Sequence, residues 1–412
     1  MQRRPKKTNP LAAPVQYTVE LHDLHAHIFR VTLSFVADEE RTLLALPVWI
    51  PGSYLVREFS KNLQNLKARQ GRKVLAVQQT DKCTWAVEAA PGTSVDVSVD
   101  VVARDASVRT AWLDSERAFF NATSLCLRVQ GQTERVHSLH LPRPAQACAQ
   151  GWKLATGLQA TKADARGFGQ YVAANYDELA DAPVEMGDFW EASFEVMGVP
   201  HRFVVSGTPA AFDGQRLVQD TQRICEAEMR FWHGALPARS MQRAVPFNRY
   251  LFLLNAVDDG YGGLEHRNST ALICTRRDLP RADTPERNPG EGYTTLLGLI
   301  SHEYFHTWNV KRLRPAEFAP YRYDQENYTE LLWFFEGFTS YYDDLLLHRA
   351  GLIDEAHYLK LLGKGINQVL QTPGRLVQSV AQASFDAWIK YYRPDENTPN
   401  ATVSYYSKGA LV

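Results

Sequence analysis

Through the first 185 residues or so, apolar and polar residues alternate, and a period of two sustained over that length excludes a helical fold for this part of the chain. The stretch Tyr17–Phe35 reads YTVELHDLHAHIFRVTLSF, and TSVDVSVDVVA and LCLRVQG repeat the pattern. In a strand successive side chains point to opposite faces, so each segment buries one face and hydrates the other. Turns such as WIPGSY and AAPGT punctuate the strands. The pattern predicts a β-sandwich-like N-terminal domain over residues 15–185. Residues 1–14, which carry QRRPKK, read as a disordered basic tail.

The texture changes around Asp181–Asp188 (DAPVEMGD). EASFEVMGVPHRFVVSG reads as a further strand pair, GQRLVQDTQRICEAEMRFWHGAL has helical spacing, and RYLFLLNAV and STALICT fit buried strands. RRDLPRADTPERNPGEGY is polar and rich in Pro and Gly, as a surface loop is. Helices are predicted over Tyr293–Val310, Thr329–Ala350 and Glu355–Gln371, the last stopped by Thr372-Pro373-Gly374. Strands followed by helices make an α+β chain. Its 412 residues favour two or three domains.

The net charge of −1, with both signs interspersed, gives no footprint for nucleic acid or an anionic membrane. No apolar run has the length of a bilayer span, and the basic start lacks the apolar region of a secretory signal. Cys83, Cys126, Cys148, Cys225 and Cys274 lie far apart without a CxxC, as reduced thiols of a cytoplasmic protein do.

One stretch carries chemistry: SHEYFHTWNVKRLRP, Ser301–Pro315. His302 and His306 stand four apart, so on a helix both imidazoles face one side and can reach one ion. Glu303, beside the first histidine, can reach a water on that ion without ligating. A hydrolytic zinc needs a third protein ligand. Downstream, LLWFFEGFTSYYDDLLLH holds one acid in apolar surroundings, Glu336, and an isolated buried acid is costly unless paired or metal-bound. Glu336 is the expected third ligand, with Glu330 as its rival. Asp343, seven residues on, can accept the ring N–H of a ligating histidine. In DDGYGGLEHRNS, Gly262 and Gly263 permit close backbone approach to a ligand and precede Glu265 on what can be an edge strand. Near the end, Tyr405 and Tyr406 offer phenols that could donate to an oxyanion or simply fill space.

GGLEHRNS, HEYFHTWNVKRLRP, FFEGFTSYY and YYSKG, in this order, resemble the glycyl aminopeptidase family of gluzincin metallopeptidases, and LPVWIPGSYLVREFSKNLQ is similar to that family's N-terminal domain signature. The resemblance runs from about Val15 to Val412. It implies a thermolysin-like catalytic domain over residues 186–412, with His302, His306 and Glu336 on one Zn²⁺ and Glu303 as general base. Glu265 would hold the free α-amino group of a peptide, and Tyr406 would stabilise the oxyanion. His266 stands where related enzymes carry asparagine. Peptides with a free N-terminus, Gly or Ala first, are the substrates it suggests. Family members continue into more helices and a PDZ domain. Because this chain stops within a predicted helix, the catalytic domain is expected to be truncated. Two other readings use the same residues: a zinc endopeptidase, and a peptide-binding scaffold that has lost catalysis.

Overall fold

The computed structural model describes residues 13–283 and 290–412. The basic tail expected at residues 1–14 falls almost wholly outside them, as does part of the loop between Arg276 and Tyr293. The chain forms two compact units: residues up to Ile50 with Arg57–Asp188, and Pro51–Val56 with Phe189–Val412. The sequence carries no signal that sets Pro51–Val56 apart from its neighbours, yet these six residues belong with the second half of the chain.

The first unit is sheet-rich, as the alternation predicts. Its largest sheet has eight strands, with Val15–Asp23 and Ile28–Val36 paired antiparallel at its middle, Val19 opposite Val31 and Tyr17 opposite Leu33. Tyr17, Val19, Leu21, Phe29, Val31, Leu33 and Phe35 are buried while intervening residues are not. Each fully buried Val, Leu or Phe stabilises by roughly 1.5–3 kcal/mol, so a one-residue register slip would turn this whole set outward. Two four-stranded sheets complete the unit, so the pairing is split over three sheets.

The second unit has one five-stranded sheet in the order Trp190–Val196, Val199–Ser206, Tyr250–Val257, Ser269–Thr275, Gly262–Glu265. The first pair is antiparallel, the two central joints are parallel, and Gly262–Glu265 closes one edge antiparallel. Parallel neighbours need a crossover, and helix Gly214–His233 lies between Ser206 and Tyr250. Asp213 caps that helix by accepting from the Arg216 N–H, Arg230 and His233 sit in its last turn, and Gly234 ends it at φ 73°. Phe203, Phe252, Leu254, Ile224, Leu297, Ile300 and Tyr304 belong to the core of sheet and helices. No helix among the described residues is long and apolar enough to cross a membrane.

Two predicted helices differ from those observed. The helix expected over Tyr293–Val310 runs Glu291–Phe305; His306 is its cap, and Val310 at φ 123° takes the chain out of helical conformation. The helix expected over Thr329–Ala350 opens instead with a π-helical turn at Trp333–Gly337, then continues as Phe338–Arg349. A π turn widens the ladder by one residue and re-aims the side chains on it, a disruption that apolar periodicity does not encode. Helix Glu355–Gln371 matches its prediction.

Candidate metal centre and active site

The end of helix Glu291–Phe305 and the π turn bring together three side chains that could ligate a metal ion. His302 Nε2 and His306 Nε2 lie 3.1 Å apart. Glu336 Oε2 is 3.1 Å from His306 Nε2 and 3.6 Å from His302 Nε2. Glu330, the rival acid, is exposed and outside this cluster. Each imidazole is oriented through its other nitrogen: His302 Nδ1 lies 2.9 Å from Asp343 Oδ2, and His306 Nδ1 lies 2.7 Å from the Asn309 carbonyl. Both acceptors fix the proton on Nδ1 and turn a lone pair at each Nε2 toward the cluster. Asn309 ties the two elements together by donating to the Phe335 carbonyl and to Thr339.

This donor set fits a tetrahedral cation. An ion held at about 2.0–2.1 Å by each of three ligands separates them by about 3.3 Å. Two imidazole lone pairs and a buried carboxylate repel one another at the observed distances unless positive charge lies between them. Protons on the imidazoles can supply that positive charge as a cation would. Burial disfavours the charged form of His302, yet hydrogen bonds to Asp343 and Glu336 raise it well above the usual imidazole range. Burial raises Glu336, but the attraction of His306 and the hydrogen bonds from both imidazoles prevail and lower it to about 2.

Glu303 is 5% exposed, and its Oε2 has no hydrogen-bond partner. Burial pushes its carboxyl up to about 7, against the pull of His302 and His306. Gly263 makes room for it, since a Cβ there would stand 2.1 Å from Glu303 Oε1. Glu265, on the same edge strand and opposite Thr270, is 4% exposed and leaves Oε1 without a partner. Gly262 pairs with Ile273, while His266 is buried and donates its N–H to the Ser269 carbonyl.

Tyr405 is fully buried, whereas Tyr406 is partly exposed and its ring centroid is 6.2 Å from that of His302. Burial raises Tyr406 well above the usual phenol range, so it remains an O–H donor. Helix Tyr405–Gly409 reaches the π turn because two glycines meet: a Cβ on Gly337 would lie 2.6 Å from Gly409 backbone. Tyr392 adds a hydroxyl 3.3 Å from that of Tyr406.

Three groups escaped the sequence reading. Tyr54 donates to Glu336 Oε1 at 3.3 Å. Gly52 lies against Glu265, and Glu228 lies fully buried beneath the motif helix, accepting from Ser301 Oγ at 3.0 Å. Tyr54 and Gly52 sit in a segment that reads as a turn and as part of the N-terminal domain signature, with nothing to mark either residue for the site. Glu228 was visible as an acid on the apolar stripe of its helix.

Comparison with known proteins gives the family and the fold. Residues 16–188 match the peptidase M61 N-terminal domain, and residues 295–412 match the M61 glycyl aminopeptidase model. A crystal structure of an aminopeptidase N family protein from Idiomarina loihiensis is 44% identical, with a TM-score of 0.90, covering 96% of this chain and 65% of that one. This chain therefore spans just under two thirds of that relative's length. An M1 zinc metallopeptidase from Deinococcus radiodurans, 13% identical, shares the fold at a TM-score of 0.54 over 97% of this chain and 80% of its own. A mutant of the Deinococcus enzyme bound to a Tyr-Ser-Ala substrate gives a TM-score of 0.52 at 13% identity, with the same coverage. No curated protein matches the chain. The two matching domain models together span more than half of the sequence, and the chain belongs to the M61 glycyl aminopeptidase family.

Proposed function

We propose that the protein is a zinc-dependent aminopeptidase that removes N-terminal residues, Gly or Ala by preference, from peptides. His302, His306 and Glu336 hold one Zn²⁺. Zinc bound there supplies Lewis acidity toward the scissile carbonyl and acidifies a water. Glu303 accepts the proton of the attacking water at its unpartnered Oε2 and returns it to the leaving amine. The Tyr406 hydroxyl donates to the oxygen that gains charge. Glu265 pairs with the substrate ammonium and holds the first peptide bond in reach of attack.

The observation that carries this reading is the pair of buried acids with unpartnered oxygens, Glu303 and Glu265, on adjacent elements beside a three-ligand cluster. An amino-terminal ammonium is a ligand that would compensate Glu265. Hydrolysis of an alanyl or glycyl anilide, compared with its N-acetyl counterpart, tests the proposal. The free amine is expected to be cleaved and the blocked one not. Equal cleavage of both assigns the site to an endopeptidase, and binding without cleavage assigns it to a scaffold. Scattering at the zinc absorption edge should give one peak among His302, His306 and Glu336.

A further inference from the structure

The segment Pro51–Val56 sits in the second compact unit although the residues before and after it belong to the first. It carries Tyr54, which is 1% exposed. The Tyr54 ring stacks on Phe318 at 5.9 Å and meets Trp388 and Tyr392 edge-on at 5.9 and 6.1 Å. From this packed ring the hydroxyl donates to Glu336 Oε1 at 3.3 Å. Glu336 turns its other oxygen, Oε2, to both imidazoles. The two carboxylate oxygens thus have separate partners: Oε2 the two imidazoles, Oε1 the hydroxyl of a buried tyrosine.

The same segment touches the second functional acid. Gly52 has φ 94°, and a Cβ on it would lie 2.4 Å from Glu265 Oε2 and 2.7 Å from Oε1. Any side chain there displaces the Glu265 carboxylate, and the backbone conformation independently favours glycine.

We propose that Pro51–Val56 positions both acids of the site, Tyr54 holding Glu336 Oε1 so that Oε2 is the oxygen turned to the imidazoles and available to a metal, and Gly52 backing Glu265. The inference rests on the aminopeptidase reading. A donor to the outer oxygen of a ligating carboxylate fixes its rotamer, and loss of such a partner typically costs about 10–100-fold in metal affinity.

Tyr54→Phe keeps the ring and its stacking and removes only the hydroxyl, so the metal-free variant should still unfold cooperatively, at a temperature lowered by the lost hydrogen bond. Competition against a chromophoric chelator should show zinc held about 10–100-fold more weakly. X-ray absorption at the zinc edge should show an added oxygen neighbour as Oε1 is released. Gly52→Ala should leave zinc affinity unchanged and raise KM for a free-amine anilide more than it lowers kcat. Zinc affinity in Tyr54→Phe within twofold of wild type, with an unchanged edge spectrum, overturns the role of Tyr54. Unchanged KM in Gly52→Ala overturns that of Gly52. Wild-type protein that binds no zinc overturns the parent reading instead, and so separates the two failures.

Discussion

Asp100 and Glu185, the buried acids among the described residues of the first compact unit, each face a guanidinium fork. Arg30 donates to both oxygens of Asp100 at 2.8 and 3.1 Å, and Arg117 to both oxygens of Glu185 at 2.7 Å. The buried acids of the second unit are Glu228, Glu265, Glu303 and Glu336. Three of them keep an oxygen with no partner, and the fourth faces two imidazoles. Burying an unpaired carboxylate costs several kcal/mol, so the first unit's acids are compensated within the fold, while those of the second leave positions that a further partner would compensate.

The largest effect that would break this contrast is on turnover. Glu303→Gln preserves shape and removes the proton acceptor. It should lower kcat by about a thousandfold, ~4 kcal/mol of transition-state stabilisation, while zinc content by elemental analysis stays at one per chain. Turnover that survives would make Glu303 a structural acid like Glu185.

The paired acids supply the opposite test. Arg117→Ala removes the two hydrogen bonds that Arg117 gives Glu185, which is 2% exposed, and should cost about 1.5–3 kcal/mol in urea unfolding. The double change Arg117→Met with Glu185→Leu removes both charges and should recover most of it. Glu228→Gln should behave differently. Burial raises Glu228 well above the usual carboxyl range and so favours its neutral form, for which the amide is a close replacement that should cost under about 1 kcal/mol. A large loss would mean Glu228 is ionised and has a countercharge.

A smaller effect is expected where an acid acts through another residue. Asp343→Asn keeps an acceptor for His302 Nδ1 but removes the negative charge behind the imidazole. It should weaken zinc about 10–100-fold in chelator competition, with the unfolding temperature of the metal-free protein little changed.

What the sequence made legible divides along the same line. The four-residue spacing of His302 and His306 places both on one helix face, and Glu336 stood out as an acid in an apolar helix; both inferences are local. Local periodicity also marked the strands that alternate and the helix Gly214–His233. It could not show that the motif helix stops at Phe305, because that stop depends on Asn309 offering its carbonyl to His306 and on the conformation of Val310. It could not show the π turn at Trp333–Gly337, which depends on packing between Gly337 and Gly409, 72 positions apart. Nor could it show Tyr54, whose partner Glu336 is 282 positions away. Groups that act through distant contacts leave no period in the sequence.

The smallest predicted effect asks whether the first unit is free of buried, unpartnered charge under acid conditions as well. His137 is 1% exposed, stacked on Tyr17 at 5.9 Å and edge-on to Tyr176 at 5.7 Å, with Nδ1 2.8 Å from the Arg135 carbonyl. Burial lowers it from 6.5 to about 4, the Arg135 carbonyl offsetting only part of the shift. Between these values the unfolded chain binds the proton and the folded one does not. Stability from this residue is therefore fully present above about pH 6.5 and is lost as pH falls toward 4, with a slope of at most about 1.4 kcal/mol per pH unit. Urea unfolding at pH 7 and pH 5 should show the wild type losing about 1–2 kcal/mol more than His137→Asn. His201, also lowered to about 4 by burial in the second unit, contributes equally to both proteins and cancels. Equal losses would mean that His137 takes its proton while folded, and the first unit would then hold a buried cation whose compensation must come from outside its two guanidinium–carboxylate pairs.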